Sequence, residues 1–221
     1  MRVAEMLTGR CPQLRQVALL MAAAALLCAP AIAGAQGLSD RFAADPDAGQ
    51  AALALARRAF DTWCLQRQRI PPPVELPSLL RERSGVYVSA ILGDAPRCCM
   101  GTLYPTRPTL AEEIINAAVA AAGMDLRFPP ITPPELTQVR LIVSVVDPPE
   151  RLADPRALDP ATEGVAVRCA SGWGVSLPGE TPHRELLVEW ARIRAGAVEG
   201  EPVELYRVIA YRVIEPQTVS H

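Results

Sequence analysis

Val86-Tyr87-Val88-Ser89-Ala90-Ile91, the reversal Gly93-Asp94-Ala95-Pro96, and then Arg97-Cys98-Cys99-Met100-Gly101-Thr102-Leu103 read together as a β-hairpin. The first run is apolar and β-branched, as half-buried strands are. Gly, Asp and Pro supply the chemistry of a turn. The second strand is expected to return antiparallel to the first over residues 97–103. It holds two of the six cysteines, with an arginine beside them and a glycine two residues after Cys99. Neighbours on a strand point to opposite faces, so Cys98 and Cys99 are expected to diverge, with Arg97 on the Cys99 side.

Outward from the hairpin, the pattern stays legible. Downstream, Thr109 and Glu112 have capping-box spacing. The helix they open is expected over residues 110–122, with Leu110, Ile114, Ala118 and Ala121 on one face and Gly123 as its stop. Upstream, Asp47 is expected to cap a helix over residues 48–68, which puts Leu53, Ala56, Phe60 and Cys64 on one face. Pro71-Pro72-Pro73 ends it. After a proline-rich loop over residues 125–134, the β-branched run 139–147 reads as a buried strand. Residues 164–169 and 173–177 form a second hairpin. A helix over residues 182–195, with Thr181 as N-cap and Gly196 as stop, precedes a last strand over 203–214. Strands joined by short turns, with helices between, make an α+β domain: a mainly antiparallel sheet with flanking helices.

The chain has 221 residues, a hydrophobic fraction of 50% and a net charge of −2. That is enough for one domain with a sizeable core, and it signals no nucleic-acid partner. Arg2, Arg10 and Arg15 precede an apolar run from Val17 to Ala33, and Ala33-Gly34-Ala35 offers the small residues that a signal peptidase reads. The organisation expected is a signal peptide over 1–35, a flexible leader over 36–47 and the folded domain over 48–217, in a periplasmic or secreted protein. Membrane attachment would arise only from an uncleaved signal. Cys64, Cys98, Cys99 and Cys169 remain after cleavage and allow three complete pairings. A Cys98–Cys99 bridge would be strained, because adjacent Cα atoms stand about 3.8 Å apart. One bridge to Cys64 or Cys169, with the others as thiols, is the competing arrangement.

The central strand is similar to the hallmark L-R-G-C-I-G-T-L of the AMMECR family, named for the Alport syndrome, intellectual disability, midface hypoplasia and elliptocytosis chromosomal region. Here it reads Pro96-Arg97-Cys98-Cys99-Met100-Gly101-Thr102-Leu103, with Cys98 in place of the glycine and Met100 in place of the isoleucine. Gly85-Val86-Tyr87-Val88, Pro108 to Ile114, Asp125-Leu126-Arg127-Phe128-Pro129-Pro130, Val143 to Val146 and Arg194-Ala195-Gly196 continue the likeness, as does Leu205-Tyr206-Arg207. The resemblance spans roughly residues 48–215. It implies a two-lobed α+β fold with the hallmark near the cleft between lobes. By family association it also points to Memo-like or radical-SAM proteins as partners, beside an unknown small molecule or protein.

The stretch is expected to line the cleft of a module that binds a small molecule or a protein partner, with a Cys99-dependent enzyme or thiol redox protein as the alternative; several readings bear on that choice. Cys99 could do covalent or redox chemistry, with Arg97 favouring its thiolate. Cys–His catalysis has only His183 and His221 to draw on. Cys98, Cys99 and Met100 suit a soft metal, but consecutive strand residues diverge, so no metal or cofactor is expected. A binding module would use Arg97 with Cys98, Gly101, Thr102 and Glu112 along a cleft. A purely structural role would pack Cys99 and Met100 in the core, make a bulge at Gly101 and pair Arg97 with a carboxylate such as Glu112.

Overall fold

The computed structural model describes residues 36–217. The signal segment expected over residues 1–35 lies outside them. Among the described residues no helix is long and apolar enough to cross a membrane.

The described residues begin with two helices, α1 (Leu38–Ala44) and α2 (Pro46–Gln66). The leader expected here is therefore structured. Phe42 is completely buried, stacks on Tyr211 with centroids 5.6 Å apart, and Ser39 N donates to Asp147 Oδ1 at 3.0 Å. One aromatic anchors a segment whose average composition is polar. Asp45 rather than Asp47 caps α2, accepting from Ala48 N at 3.1 Å. Pro46 takes the first helical position, where a missing N–H costs nothing.

The hairpin forms as β1 (Gly85–Leu92) and β2 (Ala95–Thr102), followed by α3 (Leu110–Gly123) with its complete Thr109–Glu112 capping box. Then come β3 (Val139–Val146), the short β4 (Glu150–Arg151), the hairpin β5 (Glu163–Cys169) and β6 (Gly172–Ser176), α4 (Arg184–Ala195) and β7 (Glu204–Ile214). Thr181 does not cap α4. His183 holds that position, and Thr181 Oγ1 accepts from His183 N at 3.2 Å instead.

The seven strands among the described residues join one antiparallel sheet in the order β2-β1-β3-β7-β5-β6, with β4 paired to β7. β2 and β6 are its two edges. One face of β1 and β3, with Val86, Val88, Leu141 and Val143, packs beneath α2 and α3, which contribute Phe60, Leu110 and Ile114. A smaller cluster joins Val165 and Val167 of β5 to Leu187 and Ala191 of α4. These are the two lobes, and they share a continuous sheet. A third cluster, with Leu103, Val146, Ala166, Leu177 and Val208, occupies the face left between them.

Candidate functional site

Strand alternation fails at one residue, and that residue is Arg97. Ala90 stands opposite Cys98 while Ile91 stands opposite Pro96, so Arg97 is the extra residue of a β-bulge. The bulge falls there and not at Gly101, which pairs regularly with Tyr87. The bulge turns the Arg97 side chain to the loop after α3. Its Nε donates to Glu135 Oε1 at 2.6 Å and its Nη1 to the Pro129 carbonyl at 2.8 Å. The guanidinium holds the Glu135 carboxyl at about 2, well below the usual range. Arg97 is therefore a clamp between β2 and the proline loop. It pairs with Glu135, not Glu112, and its charge falls on Cys98, not Cys99.

The two cysteines do diverge. Cys98 enters the main core at 1% exposure, and burial pushes its thiol up to about 12. Met100 packs against that same core. Cys99 packs on the opposite cluster and stays half-buried. Burial pushes its thiol up too, against a hydrogen bond from the facing Ser89 side chain. The expected activation of Cys99 by Arg97 is absent for that geometric reason. Cys64, Cys98, Cys99 and Cys169 all stand as free thiols. Cys64 and Cys98 lie in the main core, whereas Cys169 belongs to the smaller lobe, where its Sγ donates to the Ala195 carbonyl at 3.3 Å.

Cys99 lines a hollow of about 760 Å³ between the two edge strands. Its wall runs through Gly101, Thr102 and Leu103 of the hairpin, and Tyr87, Tyr104 and Trp173 supply aromatic surface. Tyr104 meets Trp173 edge-on at 5.8 Å, joining the end of β2 to β6 across the opening. Arg97, Cys98 and Glu112 are not on this wall. Glu112 is engaged in its capping box, accepting from Thr109 N at 3.0 Å. The neighbouring Glu113 is buried to 1% exposure and gathers Thr102 Oγ1 (3.0 Å), Thr106 N (2.6 Å) and Arg107 N (2.8 Å), which fixes the segment leaving β2.

Each edge of the sheet is closed by an acid–arginine pair. At β2, Cys99 N donates to Asp125 Oδ2 at 2.9 Å while Arg127 Nη2 donates to Cys99 O at 2.7 Å. At β6, Leu177 N donates to Glu180 Oε1 at 3.0 Å while Arg194 Nη1 donates to Val175 O at 2.7 Å. The pairs stand in for a neighbouring strand and so block edge-to-edge association. Arg127, Glu180 and Arg194 also line the hollow. Among the described residues no group of three or more His, Cys, Asp or Glu is placed to hold a metal ion.

The AMMECR1 family model matches residues 53–213, most of the chain and all of the sheet but its last residue. The chain belongs to the AMMECR1 family. A Thermotoga maritima protein is 36% identical over 166 residues, covering 71% of this chain and 93% of that one. Protein TK0174 of Thermococcus kodakarensis is 33% identical over 152 residues, 64% of this chain and 71% of its own. The crystal structure of the uncharacterized protein PH0010 from Pyrococcus horikoshii superposes with a TM-score of 0.67 at 28% identity, covering 74% of this chain and 89% of that one.

Within the AMMECR1 domain, sequence reasoning placed Cys99, Gly101 and Thr102 on the wall. It did not single out Tyr87, Trp173, Arg127, Glu180 or Arg194 as site residues. For Asp125 and Arg127 a signal existed: an acid and an arginine two residues apart in the loop directly after α3. Glu180 and Arg194 carry no such local mark, since the turn after β6 and the end of α4 meet only in the folded chain.

Proposed function

We propose that this AMMECR1-family chain is a small-molecule-binding module whose ligand occupies the hollow between the two edge strands. The observation that carries the reading is the meeting of Cys99 to Leu103 with Trp173 and Arg194 around one open volume of about 760 Å³, a size that suits a metabolite-sized ligand. Its aromatic wall and few polar groups match the composition of such sites. The test is a screen of small fragments read by the indole N–H resonances of the three tryptophans. Binders should move the Trp173 signal and leave Trp63 still. Binding confined to other surfaces overturns the reading.

A second reading, chemistry at Cys99, is favoured by the position of that thiol on the wall. Its thiolate is disfavoured by burial, so a ligand would have to activate it. Alkylation of the native protein at pH 7 tests this. Modification of Cys99 ahead of Cys64 and Cys98 supports chemistry, and resistance until unfolding removes it. Export is proposed from the N-terminal pattern alone. An N-terminus at Gln36 in protein recovered from an envelope fraction supports it, and an intact Met1 defeats it.

A further inference from the structure

The hollow holds more positive charge than its carboxylates return. Arg127 and Arg194 line it, and both act on the Cys99 sulfur through space. Arg212 stands behind this wall rather than on it, close enough to act on Glu180 and Cys99 through space. It pairs in register with Ser144, and Ser144 with Tyr87, so the three side chains share one face of the sheet. Two carboxylates answer these three guanidiniums. Asp125 closes on Arg127 and on the Cys99 N–H. Glu180 closes on Arg194 and on the Leu177 N–H. Arg212 forms no ion pair among the described residues and donates only to the Pro178 carbonyl.

The donors are not exhausted. Arg127 uses Nε and Nη2, which leaves Nη1 without a protein partner among the described residues. Arg194 uses Nη1 alone, so Nε and Nη2 remain. Independently, the Ser144 hydroxyl is fully buried between Tyr87 and Arg212 with no hydrogen-bond partner. A buried orphan hydroxyl in a native sheet calls for an explanation. Here it lies beneath the sheet face beside Arg212 and does not itself line the hollow.

We infer that the ligand of this hollow is a flat organic anion. Its carboxylate or phosphate oxygens engage the free guanidinium edges of Arg127 and Arg194, and its apolar ring lies against Tyr104 and Trp173. Guanidinium groups suit both oxyanions because their planar fork matches two oxygens at once. The aromatic pair supplies the apolar half of the contact. The inference rests on the small-molecule reading and deepens it.

The test uses benzoate, phenyl phosphate and the neutral benzamide, titrated while the Trp173 indole resonance is followed, with Trp173→Phe to assign it. At least one of the two anions should bind ten-fold or more tighter than benzamide, and its affinity should fall with added salt while that of benzamide does not. The tighter anion identifies the oxyanion class. In Arg127→Gln and Arg194→Gln the preference should narrow to less than three-fold. Because each arginine also holds an edge carbonyl, Arg127→Lys and Arg194→Lys serve as charge-retaining variants and should keep a salt-sensitive preference. Benzamide binding as tightly as both anions overturns the anion inference and leaves the small-molecule reading standing. No movement of Trp173 by any probe or fragment overturns both.

Discussion

Arg127 Nη2 donates to the main-chain carbonyl of Cys99 at 2.7 Å. The contact is 28 residues long-range in sequence and involves no cysteine sulfur. It completes a bracket with Asp125, whose carboxylate takes the Cys99 N–H at 2.9 Å. The hallmark cysteine is thus held by its backbone, and its thiol is left to face the hollow.

Asp125→Ala should destabilise the fold by about 1–3 kcal/mol, because Asp125 is buried and the Cys99 N–H loses its acceptor. Arg127→Ala should cost less, since Asp125 keeps the main-chain N–H groups of residues 99 and 127 and the side chain removed is 44% exposed. Urea unfolding reads both midpoints. An Asp125→Ala variant as stable as the parent would show that the bracket contributes nothing.

Acid should weaken the clamps around β2. Glu135 is held at about 2 by Arg97, and the Asp125 carboxyl is lowered by Arg127 and main-chain donors despite its burial. Both carboxyls bind fewer protons folded than unfolded. Their contribution is complete above the ordinary carboxylate range near about 4 and drains as pH falls toward 2. Arg97→Gln should flatten that decline in a series of unfolding curves from pH 5 to 2. An unchanged slope contradicts the assignment.

Cys98→Gly restores the residue of the family hallmark, yet here it should destabilise by about 1–2 kcal/mol. It empties a fully packed core position and loosens the backbone. It should also alter the alkaline limb. The Cys98 thiol is raised to about 12, so its contribution is whole below the unfolded thiol value near about 8.5 and is lost as pH rises from there. The variant should lose stability less steeply between pH 9 and 11 than the parent.

Gly101→Ala should cost about 2–3 kcal/mol, because a Cβ there runs into the Val86 carbonyl oxygen and the Tyr87 Cα, both immovable backbone. Gly93→Ala meets nothing within 4 Å and bears only the strain of a φ of +61°, about 1 kcal/mol. Melting temperatures of the two variants should rank in that order. The reverse ranking would mean that β2 can shift off β1 at little cost.

Glu113→Gln should lower stability by about 1–3 kcal/mol and loosen Thr106 and Arg107 in hydrogen exchange. The amide would turn donors toward main-chain N–H groups that now meet carboxylate oxygens. Glu112→Gln can still accept from the Thr109 N–H and should change little. Equal losses in the two variants would deny Glu113 its special place.

Legibility followed range. The hairpin, the Thr109–Glu112 box and the strand over Val139–Val146 could be read because periodicity and capping are encoded within a few residues. α1 was missed because what orders it lies far along the chain: Phe42 stacks on Tyr211 and Ser39 bonds to Asp147. Arg97 was misplaced because a one-residue slip reverses which face a side chain takes, and nothing in Pro96-Arg97-Cys98 announces the slip.

What the amino-acid order determined by itself was the succession of the longer elements from α2 onward, the divergence of Cys98 from Cys99 and the family. Each depends on local sterics or on motifs read in order. Only the tertiary structure decided which arginines stand around Cys99, that burial disfavours its thiolate, and that β2 and β6 face one hollow. Those outcomes depend on how a seven-stranded sheet brings residues 99, 127, 175 and 194 together. No local period encodes that closure, because its contacts span the loops that each element must first fold around.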